Sequence, residues 1–304
     1  MVYENTVIIA TGESEERSEQ IELPLLERKD LDLLTVLGSG GFGRVHYGVY
    51  GGVLEVAVKQ SHQQHKNQDR FSDSFYAEIR AATLQHENIV RVLGLCVDQE
   101  LSDDALLPML VMEYAGDRNL QSLVNDRSEC IDTSRRLKFA KDMTSGLNYA
   151  HNRGFLHLDV KLLNVIVSSD DRCKLADFGC SLNKAAGKAD TPTKSMMTGT
   201  YAYRAPELLR GKVATDRSDI YSLSICLWQL LTRKRPYADD EHQVIVFGVV
   251  SYNLRPELPE QFDNTVDERY CELFKQAWNV DPTARPSAKQ LLSTLTELES
   301  EVND

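Results

Sequence analysis

Apolar residues early in the chain occur in short runs and in alternation with polar residues, a pattern typical of β-strands. Across residues 31–58 this alternation, interrupted by glycines, predicts strands joined by tight turns. Phe75, Ile79 and Ala82 are then spaced as one face of a helix, and the apolar segments 89–97 and 109–112 follow it. The pattern predicts a small, mostly β first lobe with one helix.

Beyond Glu113 the apolar spacing becomes helical. The run 219–232 is apolar on nearly every face, as in a helix enclosed by a large core. The last predicted helix opens with a capping-box pattern from Ser287 to Gln290. A larger, α-rich second lobe is therefore expected, and the fold class is α+β. Two helix faces define its predicted core: Leu137, Ala140, Met143, Leu147 and Ala150 before a stop at Gly154, and Leu291, Leu295 and Leu298 in the last helix.

The first 29 residues contain an acidic stretch and little apolar periodicity, which predicts a tail that is either mobile or packed on the domain. The longest apolar runs, such as residues 244–250, are far shorter than the roughly 20 residues of a membrane-spanning helix. The N-terminus has no basic run typical of a secretory signal, and Val2 stands where myristoylation requires glycine. We expect a soluble, cytoplasmic protein.

Composition narrows the classes of partner. With 304 residues, 42% of them hydrophobic, the chain can bury a sizeable core. A formal charge of -12 disfavours nonspecific binding to nucleic acid, because that binding depends on basic groups. The six cysteines show neither a C-x-x-C pair nor zinc spacing, which favours reduced thiols over a disulfide or metal framework. We expect protein partners, with neither nucleic acid nor a membrane among them.

Three glycines, Gly38, Gly40 and Gly43, lie where a strand-turn-strand loop would bring backbone amides close to phosphate groups. Such patterns are frequent by chance, so on their own they favour a phosphate-binding loop no more than a simple turn. The residues that follow decide between the two.

A lysine and a glutamate follow this loop at informative positions. Lys59 ends the segment V-A-V-K, where alternation places it on the same face as Ala57, toward a nucleotide pocket rather than solvent. Glu78 lies in the helical segment after it, and its carboxylate can pair with Lys59 and hold the ammonium on the α- and β-phosphates. Either residue alone would be interpreted as an exposed surface charge.

Residues 157–164 and 177–179 supply the remaining groups that phosphoryl transfer requires. The reaction needs a carboxylate that orients the attacking hydroxyl and accepts its proton, and hard oxygen ligands for Mg2+. Asp159 suits the first role, and Asn164 and Asp177 suit the second. Lys161 can reach the transferred phosphoryl group and stabilise the charge that develops on it. The residue types therefore match the reaction.

With the A-P-E segment 205–207, Asp219 and Arg285, these motifs resemble the protein kinase catalytic domain over about residues 31–298. The resemblance implies a bilobal fold with a tail at 1–29, a kinase domain at 30–299 divided into lobes 30–113 and 117–299, and a C-terminal tail at 300–304. It also implies a structural ion pair between Glu207 and Arg285, and a packed, hydrogen-bonded His157. The further residues implied to contact ATP are Val45 and Ala57 above the adenine, Ile166 below it, Met112 as gatekeeper, and Glu113 to Ala115 as the hinge.

Every charged catalytic position is occupied, which favours an active enzyme over a pseudokinase that keeps the fold as a binding module. A purely structural protein with a fortuitous motif series is a third class. The lysine at position 161 and the threonine at position 200 resemble the residues that serine/threonine kinases have at these positions. In those kinases the matching threonine bonds the catalytic aspartate and lysine, which narrows the site so that a short hydroxyl side chain fits. We therefore expect a protein serine/threonine kinase that requires ATP and Mg2+.

Four phrases resemble the Mos kinases more closely: D-F-G-C-S at 177–181, G-T-Y-x-Y-R-A-P-E-L-L at 199–209, D-I-Y-S-x-x-I-C-L-W-Q at 219–229, and V-V-S-Y-N-L-R-P at 249–256. Leu162 and Leu163 depart from that family, whose loops usually read Pro-Ala there. The resemblance implies a cytoplasmic germ-cell kinase that phosphorylates MAP kinase kinase and drives the MAP kinase cascade in meiotic maturation of oocytes. The alternative is another Raf-like or mixed-lineage kinase at the same level of a cascade.

Leu158 stands where kinases regulated through their activation loop have an arginine that pairs with the loop phosphate. Leucine makes no such bond, so activity is expected not to depend on phosphorylation of the loop. The loop still holds four candidate acceptors, whose simpler interpretation is a solvated, flexible segment: Thr191, Thr193, Ser195 and Thr198.

Overall fold

One sheet and one helix form the first part of the chain, and helices dominate the second part. The computed structural model describes residues 6–10, 20–40, 43–60, 68–97, 108–184, 201–238, 240–262 and 264–303. The first part contains β1 (Thr6–Ala10), β2 (Gln20–Leu26), β3 (Leu31–Gly40), β4 (Gly43–Tyr50), β5 (Leu54–Gln60), α1 (Gln68–Ala81), β6 (Val92–Cys96) and β7 (Met109–Glu113).

The second part begins after Glu113 with a short strand and alternates small strands with helices. Its strands are β8 (Arg118–Asn119), β9 (Phe155–Leu156), β10 (Val165–Val167), β11 (Cys173–Leu175) and β12 (Leu182–Asn183). Its helices are α2 (Leu120–Asn125), α3 (Thr133–Asn152), α4 (Pro206–Leu209), α5 (Asp216–Thr232), α6 (His242–Ser251), α7 (Thr265–Ala277) and α8 (Ala288–Asn303). Both predicted lobes are thus present, in the predicted order, and the fold class is the predicted α+β.

The sheet has the strand order β1-β2-β6-β7-β5-β4-β3. Alternation along β5 divides its side chains between two environments. Val56 and Val58 are fully buried in an apolar cluster, whereas Ala57 and Lys59 lie on the other face and are partly accessible. This arrangement confirms that Lys59 shares a face with Ala57 and places that face toward the second lobe, since Lys59 pairs with Asp177.

The core of the second lobe is built around α5. Nearly all of its residues are buried, in agreement with a helix that is apolar on almost every face. Helix α3 packs against both α5 and α8, and the apolar residues on the predicted faces of α3 and α8 are fully buried. The capping box of α8 is also present: the Ser287 N–H donates to Gln290 Oε1 (2.8 Å), and the Gln290 N–H donates to Ser287 Oγ (3.2 Å).

Both predicted tails contain regular secondary structure where the structure describes them. Of the two alternatives for residues 1–29, packing on the domain is the one observed, because β1 and β2 extend the sheet of the first lobe. At the other end, α8 continues to Asn303, so most of the segment 300–304 is the last turn of a helix rather than a tail. Among the described helices, none is both long and apolar enough to span a membrane.

Candidate active site

The catalytic loop is held by a buried carboxylate beneath it. Asp219, at the start of α5, is fully buried and accepts hydrogen bonds from the backbone N–H of His157 (2.9 Å) and of Leu158 (2.7 Å). His151 Nε2 lies 2.8 Å from the same carboxylate. Burial alone would raise the pKa of Asp219, but the hydrogen bond and charge of His151 outweigh it and hold this pKa below its ordinary value.

This carboxylate sets the backbone conformation next to Asp159. Leu158 has a φ of 61°, a left-handed conformation that non-glycine residues adopt only when their surroundings impose it. The bond from its N–H to Asp219 supplies that constraint. His157 is fully buried, and its ring packs against Phe178 with centroids 4.5 Å apart, while its Nε2 lies 3.1 Å from the Ala176 carbonyl oxygen. His157 is therefore a packed, hydrogen-bonded residue, as predicted.

Asp159 lies at the centre of a polar cluster. Lys161 Nζ donates to its Oδ2 (2.6 Å), and Asn164 Nδ2 donates both to that Oδ2 (2.9 Å) and to the Asp159 carbonyl oxygen (3.0 Å). Within the described part of the chain, both side-chain partners of Asp159 use Oδ2, which leaves Oδ1 for an incoming hydroxyl. The unusual Leu162 is fully buried and Leu163 is 53% exposed, so this departure in sequence leaves the loop intact.

Asn164 and Asp177 provide the oxygen atoms that suit Mg2+. Because the Asn164 amide nitrogen is bound to Asp159, its amide oxygen remains as the ligating atom. Asp177 has a φ of 61°, and its side chain is one third exposed. Burial opposes ionisation of Asp177, yet the charge and hydrogen bond of Lys59 outweigh it and hold the pKa of this carboxyl below its usual range. An ionised carboxylate and an amide oxygen are ligands that Mg2+ prefers, so the residues present fit the metal.

Lys59, Glu78 and Asp177 form one hydrogen-bonded group that joins the two lobes. The Lys59 ammonium pairs with the Glu78 carboxylate and lies 2.9 Å from Asp177 Oδ1. Burial lowers the pKa of Lys59, but the two carboxylates outweigh this effect and raise it. Glu78 lies deeper, and its burial raises its own pKa against the opposing effect of Lys59. Lys59 therefore keeps its positive charge at the place where the sequence predicts a nucleotide phosphate.

Gly179 allows α1 to lie against the segment that contains Asp177. A Cβ on this residue would lie 2.4 Å from Ser74 Oγ and 2.9 Å from Glu78 Oε1. The Ser181 hydroxyl, two residues later, donates to the Ala77 carbonyl oxygen (3.4 Å). The approach of α1 that brings Glu78 to Lys59 thus depends on the absence of a side chain at position 179.

The glycine loop leaves space next to its backbone. No described atom lies within 4 Å of a Cβ built on Gly38 or Gly40, so neither glycine is required for packing within the described protein. Gly43 has a φ of 140°, a conformation that other residues rarely adopt. Residues 41 and 42 lie outside the described residues. The exposed strand end at residues 38–40 fits the approach of phosphate groups.

Three of the predicted adenine contacts, Val45, Ala57 and Met112, lie on neighbouring strands of the first lobe, and the fourth, Ile166, lies on β10 of the second lobe. Ala57 pairs with Met112 in the β5–β7 register, and Val45 pairs with Lys59 in the β4–β5 register. Val45, Ala57, Met112 and Ile166 are each partly buried, as expected for the walls of a cleft.

The hinge connects to the second lobe through Glu113. Its carboxylate Oε1 accepts hydrogen bonds from Lys174 Nζ (2.8 Å) and from the Arg91 N–H (2.9 Å). The Glu113 N–H is also occupied, since it donates to the Arg91 carbonyl oxygen (2.9 Å), so the reading of an adenine edge by the backbone of Glu113 to Ala115 stays a prediction.

The structural ion pair predicted from the resemblance is present. Arg285 donates to both carboxylate oxygens of Glu207, at 2.7 and 2.8 Å, and the Ser218 hydroxyl donates to one of them (2.9 Å). Burial raises the pKa of Glu207, but Arg285 outweighs it and the net shift is downward. The pair ties the A-P-E segment to the second lobe, away from the reacting groups.

Thr200 and the four candidate phosphorylation sites, Thr191, Thr193, Ser195 and Thr198, lie outside the described residues. Their assigned roles stay predictions.

His151 was missed by the sequence reasoning. It follows the buried Ala150 on α3 and looks like an ordinary polar residue. The available signal was Asp219 itself, because a carboxylate inside an apolar helix requires buried hydrogen-bond donors.

Comparisons with known proteins agree with this geometry. A family model described as "Protein kinase domain" matches residues 31–295. "Serine/threonine-protein kinase mos" of Patiria pectinifera is 45% identical over 269 residues, which cover 88% of this chain and 74% of the relative. The proteins of the same name from Gallus gallus and Xenopus laevis are 36% and 38% identical, over 88% and 87% of this chain and 81% and 75% of their own lengths.

Proposed function

The chain belongs to the protein kinase family and, within it, to the Mos serine/threonine kinases; from that premise we propose that it transfers the γ-phosphoryl group of ATP to a serine or threonine of a MAP kinase kinase. Serine/threonine kinase activity follows from the family, and the kinase domain implies ATP and typically Mg2+. The substrate, the reaction cycle and the cellular role are the proposal.

In the proposed reaction Asp159 orients the substrate hydroxyl through Oδ1, the carboxylate oxygen that has no side-chain partner among the described residues, and accepts the proton as the new bond to phosphorus forms. Lys161, already 2.6 Å from Asp159 Oδ2, stabilises negative charge on the moving phosphoryl group. Lys59 binds the α- and β-phosphates, and Glu78 orients Lys59. Asn164 and Asp177 would hold Mg2+, which would supply neutralising charge to the nucleotide phosphates when bound.

The observation that supports catalysis most strongly is the hydrogen-bonded group of Lys59, Glu78 and Asp177. It brings together residues from β5, from α1 and from the segment after β11, which lie far apart in the sequence. A pseudokinase that only binds partners has no need to keep this arrangement of charges. The arrangement supports an active enzyme.

The proposed biological role rests on the likeness to Mos kinases. We assign MAP kinase kinase as the substrate, the cytoplasm as the location, and activation of the MAP kinase cascade during meiotic maturation of oocytes as the role. A Raf-like or mixed-lineage kinase would act at the same level of a cascade and would phosphorylate the same substrate. Expression of the chain in oocytes, measured beside the substrate assay, distinguishes the Mos-like role from these alternatives.

The test is a phosphorylation assay with the purified full chain, ATP and Mg2+. It offers kinase-inactive MAP kinase kinase beside casein as a generic acceptor, with Asp159→Asn protein as the control. We expect phosphoserine or phosphothreonine in the activation loop of MAP kinase kinase, located by mass spectrometry. Label on casein alone would remove the substrate assignment. No transfer to any acceptor would favour the pseudokinase alternative.

A further inference from the structure

The N-terminal hairpin of β1 and β2 packs on the helix that contains Glu78. Ile21 and Leu23, on one face of β2, are 7% and 6% exposed and belong to one apolar cluster with Ile79 and Ala82. Val7 of β1 packs against the same cluster. The hairpin precedes the segment 31–295 that matches the kinase family model, whereas the helix on which it packs lies within that segment.

Helix α1 is held from two sides. On one side it meets the Phe178–Cys180 segment, where Gly179 permits the close approach of Glu78. On the other side Ile79, the residue after Glu78, is fully buried in the cluster that includes Ile21 and Leu23. Without the hairpin, this side of α1 would lose apolar contacts and the helix could move outward, away from Lys59.

The hairpin is attached mainly by side-chain packing. β2 and β6 pair in parallel through only two residue pairs, Leu25 with Leu95 and Leu26 with Cys96. Next to these pairs, a Cβ on Gly94 would lie 2.4 Å from the Pro24 carbonyl oxygen, so the glycine makes room for the β2 backbone. Because the ladder is short, the buried apolar side chains supply most of the attachment.

We infer that β2 is a positioning element for catalysis: Ile21 and Leu23 hold α1 where Glu78 pairs with Lys59. The inference rests on the proposed kinase function. The N-terminal segment of the chain thus supplies an apolar surface that keeps α1 in its inward position, with Glu78 paired to Lys59. Detachment of β2 lowers the population of molecules with the ion pair formed and lowers the rate in proportion.

The test compares two full-length variants of the same strand. Ile21→Ser/Leu23→Ser removes the buried contacts, whereas Glu22→Ser changes the exposed residue between them. For the double variant we expect a fall in kcat of about tenfold or more, a smaller change in KM for ATP, and faster amide hydrogen exchange in residues 74–81. Glu22→Ser and the conservative Ile21→Val/Leu23→Ile protein should resemble the unmodified chain in all three measurements.

A purely structural role for the hairpin predicts a different result. In that event the double variant would have a lower melting temperature but, at a temperature where it is folded, an unchanged kcat and unchanged exchange in α1, and the inference would be wrong. If the double variant does not fold, Gly94→Ala is used in its place, because it displaces the β2 backbone and keeps Ile21 and Leu23. The same three quantities are measured: kcat, KM for ATP and amide exchange in residues 74–81. Hydrogen exchange in α1 can be measured without catalytic turnover. If the unmodified chain transferred no phosphate, the proposed function would be contradicted, but the exchange measurement would still test whether β2 positions α1.

Discussion

The two halves of the catalytic site are held in place by different kinds of interaction. The loop that contains Asp159 rests on Asp219, a fully buried carboxylate with three hydrogen-bonding partners. The half that contains Lys59 and Glu78 depends on the position of α1, which rests on apolar contacts with β2 and on a close approach at Gly179.

This difference has consequences for how each half responds to change. Hydrogen bonds to a buried carboxylate are directional, and breaking them leaves donors or a charge unpaired in the core. Apolar contacts are non-directional, so a helix held by them can shift at modest cost. The catalytic loop is therefore expected to keep one geometry in all states of the protein, whereas the Lys59–Glu78 pair forms only when α1 is held inward.

The largest expected effect comes from the group that the loop positions. Asp159→Asn should lower kcat about a thousandfold, because the amide cannot accept the proton of the substrate hydroxyl. ATP affinity, measured by titration calorimetry, should stay within about twofold, since Asp159 does not contact the adenine. Near-normal turnover of the folded variant would show that another residue orients the hydroxyl.

Removal of the carboxylate proposed to bind Mg2+ comes next. Asp177→Ala should lower kcat at least about a hundredfold, and excess Mg2+ should not restore the rate, because the remaining Asn164 oxygen is a weaker ligand. Asp170→Ala, a change at an exposed carboxylate of the second lobe, is the matched control. If activity of the Asp177 variant persisted across a magnesium titration, the principal ligand would lie elsewhere.

Asp219 holds the loop that contains Asp159, and its replacement should have a smaller effect on the rate and a clear effect on stability. Asp219→Asn should lower the free energy of unfolding by about 3 kcal/mol, since it breaks a buried hydrogen-bonded pair, and should lower kcat about tenfold. The pKa of Asp219 is lower in the folded than in the unfolded protein. Its ionised form therefore stabilises the fold above the unfolded pKa of about 3.9, and this contribution is lost as the pH falls through the folded value.

The acid dependence of stability checks this assignment. Urea unfolding followed from pH 6 to pH 3 should show a shallower loss of stability for Asp219→Asn than for the unmodified chain. Asp240→Asn, at an exposed position, should keep the original slope. Equal slopes for Asp219→Asn and the unmodified chain would mean that other carboxylates account for the acid sensitivity.

The smallest effect is expected in the activation loop. Leucine at position 158 cannot pair with a phosphate, and its N–H already bonds to Asp219. A variant with alanine at Thr191, Thr193, Ser195 and Thr198 should therefore keep kcat within about twofold of the unmodified chain, as should protein treated with phosphatase. A large loss in both preparations, restored by rephosphorylation, would identify another basic residue in place of the missing arginine.

The sequence predicted what depends on local pattern and failed where distant segments meet. Alternation placed Lys59 beside Ala57, and helical spacing identified the buried faces of α3 and α8. β2 was interpreted as part of a tail because the first 29 residues contain an acidic stretch and little apolar periodicity. Its partner β6 lies about 70 residues away, so no local signal reports their pairing. The support of α1 by Ile21 and Leu23 became visible only in the packed structure.

The site shows the same limit. The motifs identified each charged residue and the pairing of Lys59 with Glu78, but they gave no indication that Asn164 binds Asp159 through its amide nitrogen. They also gave no role to His151. Motifs specify the groups that meet the substrate, whereas the groups that support them are chosen by packing.

Hydrogen exchange of the unmodified chain, with and without Mg2+ and ATP, tests the contrast between the two halves most directly. The amides of His157 and Leu158, bonded to Asp219, should exchange slowly and equally in both conditions. The amides of residues 74–81 in α1 should exchange faster in the free protein and become protected when nucleotide binds to Lys59. Equal protection of both segments in the free protein, or a nucleotide effect confined to the catalytic loop, would contradict the account.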